Sequence, residues 1–333
     1  MKKLINAPGN YVDEMLDGLV AAHPYLARAG EEGRVIRRAS APRRGKVGIV
    51  SGGGSGHLPL FTGYVAEGML DACAIGNVFE GPTVGSCVEA IQAADGGAGV
   101  LRLYGNYGGD RMNFDMAGEI AEADGIESTT VLGIDDVASA APEEGAKRRG
   151  VAGILYAYKA AGAMADRGAS LAEVTATAAD AVARTRTIGV ALSPCLIPGS
   201  GAPSFTLGEN EIEMGMGIHG EPGIWRAPLR PADEVADEML DRLTADAPLS
   251  GARQVSVLVN SLGATPLEEL YILYRRIAQR LAADGLEVVM PLVGHYATSM
   301  EMAGVSVSLC VVDGAFMELL AAPTSCPFWR GAA

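Results

Sequence analysis

Residues 47–59 read VGIVSGGGSGHLP. A short apolar run (Val47, Ile49, Val50) leads straight into three consecutive glycines, and no other stretch narrows the possible folds as much. The run predicts a buried strand. Glycines behind it allow backbone angles and close approaches that a side chain forbids. A strand feeding such a loop presents amide groups in the crevice beyond its carboxyl end, where open α/β sheets bind ligands. The pattern recurs: Gly99–Tyr104 (GVLRLY) predicts a second strand and Gly105–Asp110 (GNYGGD) the loop after it. Ser128–Ile134 predicts a third strand, closed by Asp135 and Asp136. Loops behind parallel strands converge, so His57 and Asp110 are expected in one cleft.

Strand and helix patterns alternate along the rest of the chain. Helices are expected within Asn10–Ala29, Pro59–Gly68, Val84–Ala93, Arg111–Ala123, Val151–Arg167, Leu171–Thr185, Pro231–Leu243, Pro266–Leu281 and Gly314–Leu320. Ser170 and Glu173 have the spacing of a capping box. The basic stretch AKRRG (146–150) reads as a solvated helix start. Further strands are expected at Ala72–Phe79, Ile188–Leu192, Phe205–Gly208, Glu211–Gly217, Val255–Val259, Leu286–Leu292 and Val305–Val312. This is an α/β fold class. A chain of 333 residues favours two domains. The expected pair is 1–186, carrying the glycine-rich substrate loops, and 187–333, carrying a third glycine-punctuated loop, GIHGEPG (217–223).

Composition removes several function classes. The chain has 26 basic and 40 acidic residues, a formal charge of −14. Such a surface argues against nucleic acid or an anionic membrane as partner. Five cysteines at long spacings, with no CxxC pair, fit reduced thiols in a cytoplasmic protein. Two lysines near the start have no apolar run behind them, and no stretch is long and apolar enough to span a membrane.

The loops themselves limit the chemistry. GGGSGH does not keep the GxGxxG register, and the position after Gly56 holds His57 where a Walker A loop needs lysine. The loop suits a small neutral polyol or carbonyl compound held by backbone groups and His57. Asp110, behind two glycines, can take a proton from a substrate hydroxyl or can cap the helix that starts at Arg111. His219 lies between flexible segments where core filling is a poor explanation. Its imidazole can act as base, as metal ligand or as nucleophile toward a carbonyl. Glu221 either orients that loop or faces water. His57, His219 and Asp110 could together approach a metal, but no HExxH or thiol cluster supports one. No metal or cofactor is assigned to this chain. No serine lies in a GxSxG elbow.

Five segments taken together resemble the substrate-binding K subunit of dihydroxyacetone kinases. They are SGGGSGH (51–57), GNYGGD (105–110), ALSPCLIPGSGAPSFTL (191–207), EIEMGMGIHGEPG (211–223) and LVNSLGATPLEELY (258–271). The resemblance implies two α/β domains and a homodimer. It implies that a ring nitrogen of His219 adds to a ketose carbonyl to give a covalent hemiaminal. His57 is then the histidine that hydrogen-bonds the substrate and assists addition, and Asp110 the aspartate that activates the terminal hydroxyl. Gly54, with Ser55, Gly56 and Gly109, is expected to hold the substrate. The same resemblance implies a separate L subunit bearing Mg²⁺ and ADP or ATP, without which this chain binds ketose but does not turn it over. The family pattern has HEP after the first histidine and KNYTGD in the second loop; this chain has His57-Leu58-Pro59 and GNYGGD. Those changes make a four-carbon ketose such as D- or L-erythrulose a candidate beside dihydroxyacetone. Two rival readings share the residues: a ketose-sensing regulatory module, and a carbonyl-active isomerase or aldolase working without a nucleotide partner.

Overall fold

The computed structural model describes residues 2–329; residue 1 and residues 330–333, the outer ends of the two expected domains, lie outside the described residues. The first helix, α1 (Tyr11–Ala22), buries Val12, Leu16 and Leu19. It stops at His23 instead of running to Ala29, because the residue before a proline avoids helical angles. The chain turns back as two short strands, β1 (Leu26–Ala29) and β2 (Val35–Arg38). Strand β3 (Gly48–Ser55) runs through the whole glycine triplet. The segment after it holds one 3₁₀ turn at Thr62–Tyr64, not a helix. Then come β4 (Ala72–Val78), α2 (Val84–Ala94), β5 (Val100–Gly105), α3 (Gly108–Ala123) and β6 (Ser128–Gly133). The Thr83 hydroxyl accepts the Ser86 amide at 3.2 Å and caps α2.

Helices α4 (Ile154–Asp166) and α5 (Leu171–Ala183) follow. The Ser170–Glu173 capping box forms as its spacing predicts. The second half contains β7 (Thr185–Ala191), β8 (Glu211–Met214), β9 (Trp225–Pro228), α6 (Ala232–Asp246), β10 (Gln254–Ser261), α7 (Leu267–Ala283), β11 (Glu287–Gly294), β12 (Gly304–Val312) and α8 (Gly314–Leu320). Phe205–Gly208 is not a strand; β9 takes its place beside β8, pairing Met214 with Trp225.

The strands form two six-stranded sheets, ordered β1-β2-β4-β3-β5-β6 and β11-β10-β12-β7-β8-β9. In the first, β4, β3, β5 and β6 are parallel, with β1 and β2 antiparallel at one edge. In the second only β10 and β11 are parallel. Helix α4 links the two. Its Tyr158 hydroxyl meets the Ser51 hydroxyl of β3 at 2.6 Å, and its Tyr156 hydroxyl meets that of Ser256 in β10 at 2.8 Å. An apolar, alanine-rich helix suits this position, since it must be buried on nearly every side. The AKRRG stretch is not a solvated helix start. Arg148 is buried and Arg149 half-buried, and Arg148 grips Asp246 of α6 with two hydrogen bonds of 2.7 and 2.6 Å. All five cysteines are free and buried. Among the described residues, no helix is long and apolar enough to cross a membrane.

Candidate active site

Four chain segments meet where the loops of the first sheet face the second. The end of β3 supplies His57, the turn after β4 supplies Phe79, and the start of α3 supplies Asp110. The loop between β8 and β9 supplies His219.

His57 is buried to 1% exposure. Its Nδ1 lies 2.7 Å from the Thr298 carbonyl oxygen, so Nδ1 carries the proton and donates. Nε2 therefore holds a lone pair, and it is buried without a partner. Burial, reinforced by the nearby His219, lowers the His57 pKa to about 3. The ring is neutral at physiological pH and offers an acceptor to an incoming hydroxyl. Phe79 stacks on it at 4.9 Å, and Phe61 meets it edge-on at 6.1 Å. Phe61, Phe79 and Met300 all take positive φ, of 69°, 61° and 54°. Such angles are costly for bulky residues and cluster where a site over-determines the backbone. Here all three flank His57; the Met300 amide donates to the Gly56 carbonyl at 2.7 Å.

His219 stands edge-on to His57 at 4.7 Å, to Tyr107 at 4.8 Å and to Phe79 at 5.5 Å. Glu221 holds it twice: Nδ1 lies 2.9 Å from Oε1, and the His219 amide donates to Oε2 at 2.9 Å. Burial alone would raise the Glu221 pKa, but the hydrogen bond from His219, with Arg149 behind, holds it down to about 2. An ionised carboxylate on Nδ1 fixes the proton there and leaves the lone pair on Nε2. That is the state of a nucleophile. Of the two readings open for Glu221, the structure selects orientation.

Asp110 is the third residue of α3, not its N-cap; that position is Tyr107, whose side chain makes no capping bond. Burial raises the Asp110 pKa to about 6, partly opposed by His219. Its Oδ1 is buried with no hydrogen-bond partner. A carboxylate with an unused buried acceptor atom and a pKa near neutrality fits a general base.

The expected substrate-holding residues divide. Ser55 has a buried hydroxyl with no hydrogen-bond partner. Gly56 has φ +102, and a Cβ there would lie 2.8 Å from the Phe79 ring. A Cβ on Gly54 would lie 2.8 Å from the backbone of Phe79 and Glu80. These two glycines thus let the β3 end pack against the Phe79 turn. Gly109, in contrast, has open space where a Cβ would stand. The residues missed from sequence are Phe79, Phe61, Thr298 and Arg149. Phe79 lies in GNVFEGPT, whose clustered Gly and Pro were a usable signal; Thr298 contacts the site through its backbone and left none.

The family model for the Dak1 domain matches residues 17–328. The chain belongs to the Dak1 family. It is 44% identical over 330 residues, 99% of its own length and 100% of the relative's, to "PTS-dependent dihydroxyacetone kinase 1, dihydroxyacetone-binding subunit DhaK" of Listeria innocua. It is 42% identical over 335 residues to the L-erythrulose kinase of Pectobacterium atrosepticum, covering 99% of this Dak1 chain but 56% of that longer protein. Among solved structures, the dihydroxyacetone kinase of C. freundii matches with TM-score 0.90 at 32% identity, over 98% of this chain and 59% of that one. The dihydroxyacetone kinase operon co-activator Dha-DhaQ matches with TM-score 0.89 at 34% identity, over 95% and 97%. The two-sheet α/β fold expected from the alternating pattern is the fold of these Dak1 relatives.

Proposed function

We propose that this chain is the ketose-binding subunit of a dihydroxyacetone-type kinase. The observation that carries the reading is the Glu221–His219 pair, which leaves Nε2 as a free nucleophile beside an unpartnered Asp110 carboxylate oxygen and the unpartnered His57 Nε2. In this reading His219 Nε2 forms a bond to the ketose carbonyl carbon. The carbonyl π electrons move to oxygen, which takes a proton from solvent, and the positive charge left on the ring lies against Glu221. His57 Nε2 accepts a hydrogen bond from the substrate, and Asp110 takes the proton of the terminal hydroxyl as it attacks phosphorus. Covalent tethering fixes that hydroxyl and removes much of the entropy cost of orienting it. Glycerol, lacking a carbonyl, is excluded. The names of the relatives support both dihydroxyacetone and erythrulose as substrates.

The nucleotide and its Mg²⁺ belong in this proposal to a separate L-type subunit, where ATP donates its terminal phosphoryl group directly or bound ADP is first rephosphorylated by a further phosphotransferase subunit, and the chain itself works as a homodimer. The test is reconstitution. The chain, a ketose and an L-type partner loaded with Mg²⁺ and ATP, or with ADP and the subunit that rephosphorylates it, should give ketose phosphate, and neither the chain nor the L-type partner alone should. Ketose binding without transfer in the full mixture would favour a regulatory module, a reading kept open by the fold shared with the operon co-activator. Consumption of ketose or its phosphate with no partner present would favour an isomerase or aldolase.

A further inference from the structure

The loop that carries His219 belongs to the second sheet, yet its anchor comes from the first half of the chain. Arg149 lies in the connection between β6 and α4, and its side chain is 14% exposed. Nε and Nη2 both reach Asp136 Oδ2, at 2.9 and 2.8 Å. Nη2 also donates to the Gly215 carbonyl oxygen at 3.1 Å, where the His219 loop leaves β8. Nη1 faces Glu221 Oε2 at 3.9 Å. Asp136 is itself fixed, since its Oδ1 accepts the Ala138 amide at 3.0 Å and its amide donates to the Arg149 carbonyl at 3.1 Å. Gly217 is what allows the approach: a Cβ there would lie 2.2 Å from Glu221 Oε2 and 2.6 Å from Arg149 Nη1.

The geometry points to Arg149 as a positioning residue that, by holding the Glu221 carboxylate and the start of its loop, sets the tautomer and aim of His219. The guanidinium touches neither histidine and acts only through Glu221 and Gly215. A rigid planar fork suits this, since one group must serve a side-chain carboxylate, a backbone carbonyl and a second carboxylate in fixed directions. A lysine could neutralise Glu221 but could not hold all three. The charge near Arg149 is otherwise negative or neutral: Asp135, Asp136, Glu221 and the Tyr107 hydroxyl. Without Arg149 these groups would repel one another and Glu221 would tend to take a proton.

The proposal rests on the hemiaminal reading only for its effect on ketose, and its test separates the two. The ¹⁵N spectrum of histidine-labelled, ligand-free protein reports the His219 tautomer, assigned by its loss in His219→Ala. Wild type should show one tautomer with the proton on Nδ1. Arg149→Met should give a mixture and raise the ketose concentration for half-maximal adduct at least tenfold, with Arg149→Lys between the two. An Arg149→Met protein that folds and keeps both the wild-type tautomer and the wild-type half-saturation would overturn the assignment. Should Arg149→Met fail to fold, Gly217→Ala drives the two charges apart while keeping both. It should produce the same mixture, and an unchanged tautomer would overturn the proposal equally. Absence of any adduct in wild type would defeat the hemiaminal reading and leave the tautomer test standing.

Discussion

Asp110 shows at one residue how site and stability pull against each other. Burial raises its pKa from 3.8 to about 6. The native state therefore holds the proton more tightly than the unfolded state does. Below about pH 4 the group costs nothing; as pH rises through about 6 the native state loses stability, by about 2–3 kcal/mol once the carboxylate is ionised. Asp110→Asn should thus raise the melting temperature by a few degrees at pH 8 and change it little at pH 4. Thermal unfolding at the two pH values checks this, and equal shifts at both would show that the aspartate is not strained by burial. The same variant should still bind ketose but lose phosphoryl transfer by about a hundredfold or more. The local sequence left cap and base equally open for this residue. The helix beginning at Gly108 removes the cap reading, and the unpartnered Oδ1 is what the proposed base role rests on; no spacing rule shows either.

Strand β3 carries the comparable lesson for an element. From sequence the glycine triplet reads as a loop, because glycine is rare inside strands. In the structure it remains strand as far as Ser55, and the glycines serve close packing. A Cβ on Gly53 would lie 2.2 Å from the Phe61 ring, and one on Gly52 2.8 Å from Phe114. Gly53→Ala should therefore destabilise by about 1–3 kcal/mol. It should also push Phe61 off His57, seen as a lower melting point together with weaker ketose binding. Gly109→Ala is the opposite case. The position is helical, open and without positive φ, so the variant should be as stable as wild type or gain up to about 1 kcal/mol. A fall in its melting point would mean that α3 is not packed as described. Long periodic helices such as α5 and α7 were legible from end to end within a few residues. Strands β1, β2 and β9 were not, because each has only four residues and an arginine or proline interrupts the apolar pattern. The α/β class and the convergence of His57 with Asp110 followed from strand-then-glycine repeats. The closing of the His219 loop onto them could not be read from any segment alone.

Across the whole molecule, the site depends on how two sheets are held together. Helix α4 joins them through Tyr158 to Ser51 and Tyr156 to Ser256, and the Arg149 fork adds a second tie next to the chemistry. In the proposed function this lets His219 from one half and Asp110 from the other face a single small substrate with little reorganisation. The sequence motifs carried the residues of this arrangement, but the tie between halves depended on buried tyrosines and arginines that read, in sequence, as helix filling and a solvated patch. In the proposed function His219 forms a reversible covalent bond with a ketose. Native intact-mass measurement of wild type and His219→Ala, each with dihydroxyacetone, D-erythrulose, L-erythrulose and glycerol, tests it directly. Wild type should gain the mass of one ketose per chain, with no gain from glycerol and none in His219→Ala. The same increase in folded His219→Ala, or none with any ketose in wild type, would contradict it.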